Sequence, residues 1–313
     1  MIEKKFSSIT CLLLGAGGLV SIAPLFIGQY FLHIIIMVSI WVLLIVGLNF
    51  VVAMGYNSIC QAAFYGVGAY TAALLTLRVG TPFWVSLILG MFLAGGAGFL
   101  IGYPAFRMRG HYFAIVTLAF GLILNLLFFN LNTITGGDRG LTGIFPPFPF
   151  FSVVWYYYLV VGFALAAIFI SHKLFKSRFG RQLVAIREDE DLATQIGINT
   201  KKCKLTCFSV GACFAGLAGG LMVHYINFIH PEFFTFGYSF TMLIGVLIGG
   251  AGSTIGAILG TGIAVGLPEI FRFAGQGRYI ILGIVLIVTV SFLPRGIAGT
   301  IVHYFYQKKS RGE

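Results

Sequence analysis

The chain has 313 residues, of which 58% are hydrophobic and only 9% are charged, and its formal net charge is +11. Soluble domains usually contain about 25% charged residues, so this composition excludes a water-soluble globular protein. The positive charge does not require a nucleic-acid partner, because basic residues at the inner face of a membrane protein also account for it.

Long apolar runs follow one another along the chain. A bilayer core of about 30 Å requires roughly 20 helical residues for one crossing. The first run follows Lys4 and Lys5 as in a signal peptide, but no clear small-residue cleavage site follows it, which favours a retained span. We therefore expect an all-α fold, a polytopic transmembrane helical bundle of about eight to ten membrane segments, built as a single domain over residues 1–313. The predicted segments are 10–27, 31–54, 60–78, 83–104, 112–131, 153–172, 205–228, 239–251, 254–271 and 279–293.

Segments 239–251 and 254–271 are short for full crossings, and the sequence GGAGSTIG joins them. Irregular backbone is tolerated at membrane depth where it packs against protein or lines a cavity. We therefore expect short broken or re-entrant helices here. Glycine runs at 90–102 and 211–221 place small residues three or four positions apart, which favours close packing between helices.

The basic residues test the orientation of this bundle. If the N-terminus is cytoplasmic and ten segments alternate, sixteen of the twenty lysines and arginines lie inside. This strong positive-inside bias predicts cytoplasmic N- and C-termini. The longest cytoplasmic connection is then 173–204, and the longest external one is 132–152. The four residues left outside are Arg78, Arg139, Arg272 and Arg278.

Four of the nine acidic residues stand side by side at 188–191, within the predicted cytoplasmic connection. Acids at the start of a helix are stabilised by the positive end of the helix dipole. Leu192 and Ile196 would lie one turn apart, with Ala193 and Gly197 forming an adjacent strip of small residues. The pattern predicts a short surface helix that either docks on a soluble partner or is a solvated connection without further role.

Motifs for chemistry are sparse. Cys203 and Cys207 lie one helical turn apart, but no histidine or third thiol completes a metal-ligand spacing. No phosphate-binding GxxxxGK[ST] loop, nucleophile elbow or zincin motif occurs, so we expect neither an enzyme nor a bound cofactor or metal. Glu269 is the one acid in the predicted segments, near an external end, which argues against an ion-coupled secondary transporter.

Seven blocks of sequence, in this order, resemble permeases of the branched-chain amino acid ABC transporter family, and specifically its M-type subunit. Together they extend over about 250 residues. The blocks are GLNFVVAMGYNSICQAAFYGVGAYTAALL (47–75), FRMRGHYFAIVTLAFGLIL (106–124), TGGDRGLTGI (135–144), GRQLVAIREDEDLATQIGINTKKCKL (180–205), FAGLAGGLMVHYINFIHPEFFTFGYSF (214–240), LIGGAGSTIGAILG (247–260) and FLPRGIAG (292–299).

The resemblance implies half of a heterodimeric pore in the cytoplasmic (inner) membrane of a prokaryote. A second, related permease called the H-type, two ATP-binding subunits and an extracytoplasmic substrate-binding protein are the implied partners. Family relatives carry leucine, isoleucine and valine, while sister systems carry urea, short amides or other amino acids. The rival classes are a stand-alone channel and a secondary transporter. Neither class accounts for the 180–204 segment.

The resemblance also assigns roles to residues. The helix that docks on the ATPase corresponds to residues 187–199, with Ala193 and Gly197 as its close contacts. The acids at 188–191 would form its polar start. The sequence departs from the family at one position, because Leu122 replaces an acidic residue that family members often have there. This replacement is compatible with a different substrate or a different partner contact. The assigned coupling residues are Arg187, Glu188, Asp189, Glu190, Asp191, Leu192, Ala193, Ile196 and Gly197.

Two further sets of polar residues are candidates for contacts. Those near the broken spans would either line the pore and offer polar groups to a zwitterion, or cap helices and join them by hydrogen bonds. Two charged residues in the external loop would either receive the binding protein or form a solvated turn. The pore candidates are Asn57, Ser58, Gln61, Ser253 and Thr254, and the loop candidates are Asp138 and Arg139.

Overall fold

The computed structural model describes residues 28–144, 152–271, 275, 277–293 and 296–300. The helices are α1 Gln29–Ala53, α2 Gln61–Leu74, α3 Phe83–Ala105, α4 His111–Asn130, α5 Asn132–Thr135, α6 Val153–Lys176, α7 Arg178–Glu188, α8 Glu190–Gln195, α9 Thr200–Ile226, α10 Phe236–Gly249, α11 Thr254–Thr261, α12 Leu267–Ile270 and α13 Gly277–Phe292. Two π-helical turns, Leu75–Val79 and Gly262–Gly266, extend α2 and join α11 to α12. The strands β1 (Leu141–Thr142) and β2 (Phe228–Ile229) form one antiparallel pair.

The polytopic helical bundle predicted from the apolar runs is confirmed. Within the described residues, seven helices are long and apolar enough to cross a membrane, and two shorter apolar helices follow them. The predicted first segment, 10–27, lies outside the described residues. The other nine predicted segments each coincide with one helix or with a continuous run of two or three helices.

Glycines bring the central helices together. α9 packs against α1, α2 and α3. A Cβ atom on Gly68 of α2 would clash with the backbone of Gly216 of α9, and one on Gly90 of α3 would lie 2.8 Å from the Gly68 carbonyl oxygen. In lipid, where apolar burial drives little association between helices, such close backbone contact is a main source of packing energy.

α10 and α11 form a hairpin that turns at Gly250 and Gly252, both of which have positive φ. The side chain of Asn49 in α1 fixes this turn, because its Oδ1 accepts from Gly252 N–H at 2.9 Å and its Nδ2 donates to Ser253 O at 3.1 Å. The returning chain reaches Glu269, which accepts a hydrogen bond from Tyr30 at the start of α1. From Asn49 to Tyr30 α1 rises about 28 Å, so the returning chain runs along most of this helix.

The bundle has two chemically different ends. Loops 54–60 and 106–110 meet α7 and α8 at one end, which we call the basic end. The β1–β2 pair, α5 and the start of α1 lie at the opposite end. Among the residues with described side chains, the opposite end carries Arg78 and Arg139, and the basic end carries Arg107, Arg109, Lys173, Lys176, Arg178, Arg181, Arg187, Lys201, Lys202 and Lys204.

Candidate functional site

The surface segment α7–α8 lies outside the membrane spans at the basic end. α7 begins at its cap Ser177, whose Oγ accepts the backbone N–H of Phe179 at 3.1 Å. Its apolar residues Leu183 and Ile186 are buried against the bundle while the opposite face is polar. This amphipathic pattern holds α7 flat against the end of the spans.

Asp189 separates two helices where the sequence predicted one. Its backbone is extended (φ −158°, ψ 114°), and its Oδ1 accepts the N–H groups of Asp191 and Leu192 at 2.9 and 3.0 Å. Aspartate is among the best residues at this capping position because it satisfies N–H groups that the helix leaves unpaired. The prediction of a single acidic helix start is therefore corrected: Arg187 and Glu188 end α7, and Glu190 begins α8.

Gly197 ends α8. It has a φ of +87°, its N–H bonds to Thr194 O at 3.0 Å, and the N–H of Ile198 bonds to Ala193 O at 3.1 Å. These two bonds form a Schellman motif, which requires a left-handed residue that glycine adopts without strain. The glycine is required by this helix end, and it is exposed at the surface of the chain.

Glu190 points into the bundle. Its carboxylate accepts hydrogen bonds from Tyr56 Oη at 2.7 Å and from Lys204 Nζ at 2.5 Å. The side chains of Lys204 and Glu190 are only 5% and 17% exposed, and the ammonium also lies over the rings of Tyr56 and Phe106. Burial acts to raise the pKa of Glu190, but the hydrogen bonds from Lys204 and Tyr56 and the charges of Lys204 and Arg109 outweigh it and lower this pKa.

Asp191, the next residue, forms a second ion pair with a different character. Arg109 donates to both of its carboxylate oxygens, at 2.9 and 3.1 Å, from the loop before α4. Hydrogen bonding to Arg109 and the charge of its guanidinium lower the pKa of Asp191. The two side chains are 65% and 69% exposed, so this pair is strongly screened by water.

The apolar residues of α8 face in two directions. Leu192 and Ile196, one turn apart, are 57% and 75% exposed. Ala193, which the resemblance assigned to close contact with an ATPase, is 2% exposed and belongs to the core of this chain. The surface that α8 offers is therefore the Leu192–Ile196 pair, while Ala193 anchors the helix from beneath.

Three of the five candidate pore residues, Gln61, Ser253 and Thr254, make capping or interhelical contacts. Gln61 is buried and donates to the carbonyls of Leu44 at 3.3 Å and Gly211 at 3.1 Å. Ser253 caps α11 by accepting from Gly256 N–H at 3.1 Å. Ser58 is buried with its Oγ 3.4 Å from Cys60 Sγ, Thr254 is buried beside Ser171, and Asn57 is exposed in the loop before α2.

The remaining candidates lie at the surface. Asp138 and Arg139 form an exposed 3-10 turn at the opposite end, where His230 Nε2 lies 2.9 Å from Asp138 O. Leu122, in the position often held by an acid, is exposed on α4. Among the described residues, no three histidine, cysteine or acidic side chains lie close enough to hold a metal ion.

Sequence reasoning missed Tyr56 and Lys204. Neither residue stands in a motif, and they lie 134 and 14 positions from the Glu190 that joins them. The only signal available was a lysine at the start of a long apolar helix, which is also what a membrane-interface lysine looks like.

Residues 30–290 match the family described as branched-chain amino acid transport system permease component. The chain belongs to this family. The permease is 33% identical over 302 residues to the high-affinity branched-chain amino acid transport system permease protein LivM of Escherichia coli K12, covering 88% of this chain and 71% of that protein. No solved structure matches the chain.

Two further relatives have lower sequence identity to this chain. The permease is 26% identical over 240 residues to the probable LivM of Methanocaldococcus jannaschii, covering 67% of this chain and 68% of that one. It is also 25% identical over 290 residues to LivH of Salmonella typhimurium, covering 83% and 92%. The resemblance to an M-type permease is thereby confirmed, and the chain is a multi-pass membrane subunit of a transport system.

Proposed function

We propose that this permease is one half of the pore of an ATP-driven importer for leucine, isoleucine and valine. A related H-type permease forms the other half, two ATP-binding subunits hydrolyse ATP, and an extracytoplasmic binding protein delivers the substrate. The observation that carries the proposal is the 33% identity to LivM over 88% of the chain. The likeness to LivH supports a pair of homologous permeases.

The α7–α8 segment is the proposed contact with the ATP-binding subunits. It lies outside the candidate membrane spans and offers two exposed apolar side chains, Leu192 and Ile196. The same helix is joined through Glu190 to Lys204 in the first turns of α9. Because α9 packs on α1, α2 and α3, a displacement of α8 is transmitted directly to the central spans.

The basic end is proposed to face the cytoplasm. Lysine and arginine concentrate in cytoplasmic loops, and the described basic residues are strongly biased to this end. This orientation places α8 on the side where ATP is found and the Asp138–Arg139 turn on the side of the binding protein. The N- and C-termini are proposed to be cytoplasmic.

Uptake into proteoliposomes tests the function. The complete transporter, assembled with its second permease, ATP-binding subunits and binding protein, should accumulate labelled leucine only with hydrolysable ATP, and excess urea should not compete. Urea or amide uptake without leucine uptake would move the substrate to the sister systems. Leucine flux through this chain alone, without nucleotide, would contradict an obligate ABC subunit.

A further inference from the structure

A cavity of about 820 Å³ lies between α1, α10, the π-helical turn with α12, and α13, and Met222 of α9 also lines it. Along α1 it extends from His33 to Trp41, which is the middle residue of that helix. Eight residues of helix correspond to about 12 Å, so the cavity occupies the half of the bundle nearer the opposite end. Its volume is in the range of small-molecule binding sites.

Two ionisable side chains line the cavity toward that end. The Glu269 carboxylate accepts from Tyr30 Oη at 3.4 Å, and Tyr30 stands one turn from His33 on α1. His33 Nδ1 lies 2.8 Å from Tyr225 Oη and the two rings stack, which fixes the orientation of the imidazole. The tautomer that accepts at Nδ1 carries its proton on Nε2, where it can donate to an anion.

The remaining walls are mostly apolar. At the depth of Trp41 the cavity is bounded by the stacked rings of Trp41 and Tyr238, with centroids 5.9 Å apart. A carboxylate and an imidazole at one end of a half-open, mostly apolar cavity match a small zwitterion with a branched aliphatic side chain. The aliphatic lining residues are Ile34, Met37, Val38, Ile244, Leu282 and Leu286.

The backbone around the cavity is irregular. The π-helical turn Gly262–Gly266 contributes Ala264 and Val265 to the lining, and Pro268 follows them. Single π-helical turns are frequent at functional sites because they displace side chains from the regular helical register. Gly283 on α13 also lines the cavity, and a Cβ atom there would meet no described atom within 4 Å.

We propose that this cavity is a transient substrate subsite of the permease. Glu269 binds the α-ammonium group, His33 donates to the carboxylate, and the aliphatic side chain packs toward Trp41. The inference rests on the proposed function, since it assigns a step to the same substrate. Amino acid released at the opposite end reaches this cavity before it passes the middle of the membrane.

Binding by the assembled transporter in nanodiscs, without the binding protein and without ATP, tests the subsite. The probes are labelled leucine, isoamylamine, which lacks the carboxylate, and 4-methylvalerate, which lacks the ammonium group. Glu269→Gln should weaken leucine and isoamylamine about tenfold and leave 4-methylvalerate unchanged. His33→Phe should weaken leucine and 4-methylvalerate and leave isoamylamine unchanged.

Gly283→Val provides a second, charge-independent test, because it fills the cavity without a backbone clash among the described residues. It should lower leucine binding and raise the KM for uptake several-fold. Gly96→Val, on the open face of α3, is the matched control and should change neither.

Two results would overturn the subsite. One is that Glu269→Gln and Gly283→Val both leave leucine binding and the uptake KM unchanged, although the wild-type transporter imports leucine. The other is a co-purified lipid that Gly283→Val displaces while leucine binding stays the same. Absence of ATP-dependent leucine uptake by the wild-type transporter would instead contradict the proposed function.

Discussion

Glu190 and Asp191 are neighbours in the first turn of α8, yet their carboxylates meet very different surroundings. Glu190 is buried with Lys204 and Tyr56, whereas Asp191 is exposed with Arg109. A buried charge that loses its partner has no water to replace it, so the two pairs differ greatly in what their loss costs. Three of these acids therefore have different roles. Glu190 anchors α8 to the bundle, Asp189 caps the helix, and Asp191 forms a weak surface ion pair.

Removing one partner of the buried pair should strongly destabilise the protein. Glu190→Gln and Lys204→Met should each lower the free energy of unfolding by roughly 3 kcal/mol, because each leaves a poorly solvated charge. The double variant should lose less than the sum of the two. Chemical unfolding in detergent measures these values. Arg109→Gln is the exposed-pair control, expected to cost at most about 1 kcal/mol; equal losses at both pairs would contradict the assignment.

The stability that Glu190 provides should depend on pH in a defined direction. Its pKa is lower in the folded protein than in the unfolded chain, so its contribution is complete at neutral pH and is lost as the pH falls through the lowered value. The difference in unfolding free energy between the wild type and Glu190→Gln should stay constant down to the ordinary carboxyl pKa of about 4.3 and shrink below it. A decline already between pH 7 and 5 would show another titrating group.

At the scale of elements, α8 is too short to be stable by itself. Isolated helices below about 12 residues are marginal in water, and α8 has only 6. Its ends are held by the Asp189 cap and the Gly197 motif, and its inner face by Ala193 and Glu190. Its two exposed apolar residues, by contrast, contribute little to this chain, so they can be changed without unfolding it.

Charges on the exposed face of α8 should uncouple transport from ATP. The double variant Leu192→Glu, Ile196→Glu should retain its unfolding free energy within about 0.5 kcal/mol, as surface substitutions usually do. ATP-driven leucine uptake should fall at least tenfold, since an apolar contact would receive two unpaired charges. Gln195→Glu adds charge on the same helix and serves as the control. Full uptake by the double variant would exclude this face as the docking surface.

The contact among α2, α3 and α9 requires glycine at particular positions. Gly68→Ala should destabilise the bundle by about 2 kcal/mol or more, because the added methyl group meets the rigid backbone of Gly216. Gly96→Ala on α3, where a Cβ meets nothing within 4 Å, should be neutral or slightly stabilising. Thermal unfolding in detergent compares the two. Similar melting temperatures for both variants would mean that the helices separate at little cost.

For the whole molecule, the uneven charge of the two ends is the feature that sets orientation. Ile134 lies exposed at the opposite end, and Met108, in the loop before α4, lies exposed at the basic end. In a background without the five native cysteines, a membrane-impermeant maleimide should label Ile134→Cys in cells whose inner membrane is intact and accessible. Met108→Cys, which lies outside the proposed docking face, should be labelled only after that membrane is opened. The reverse pattern would invert the proposed topology.

Local features of this protein followed from the sequence alone. The lengths of the apolar runs located the helices, because each span must hydrogen-bond its backbone groups internally across the same thickness of lipid. The glycines at 249–256 predicted the break between α10 and α11, and the cluster of basic residues predicted one polar end. The family was recognisable from ordered blocks, which the match over residues 30–290 confirmed.

Only the tertiary structure decided which residues meet. Four identical charges in a row cannot reveal that Glu190 alone turns inward, since its partners come from a loop 134 residues earlier and from the start of α9. The sequence could not show that Ala193 packs into the core of this chain, because a small side chain suits both an outer contact and a tight inner one. The cavity beside α1 arises from five separate segments, and its shape depends on their packing rather than on any one pattern.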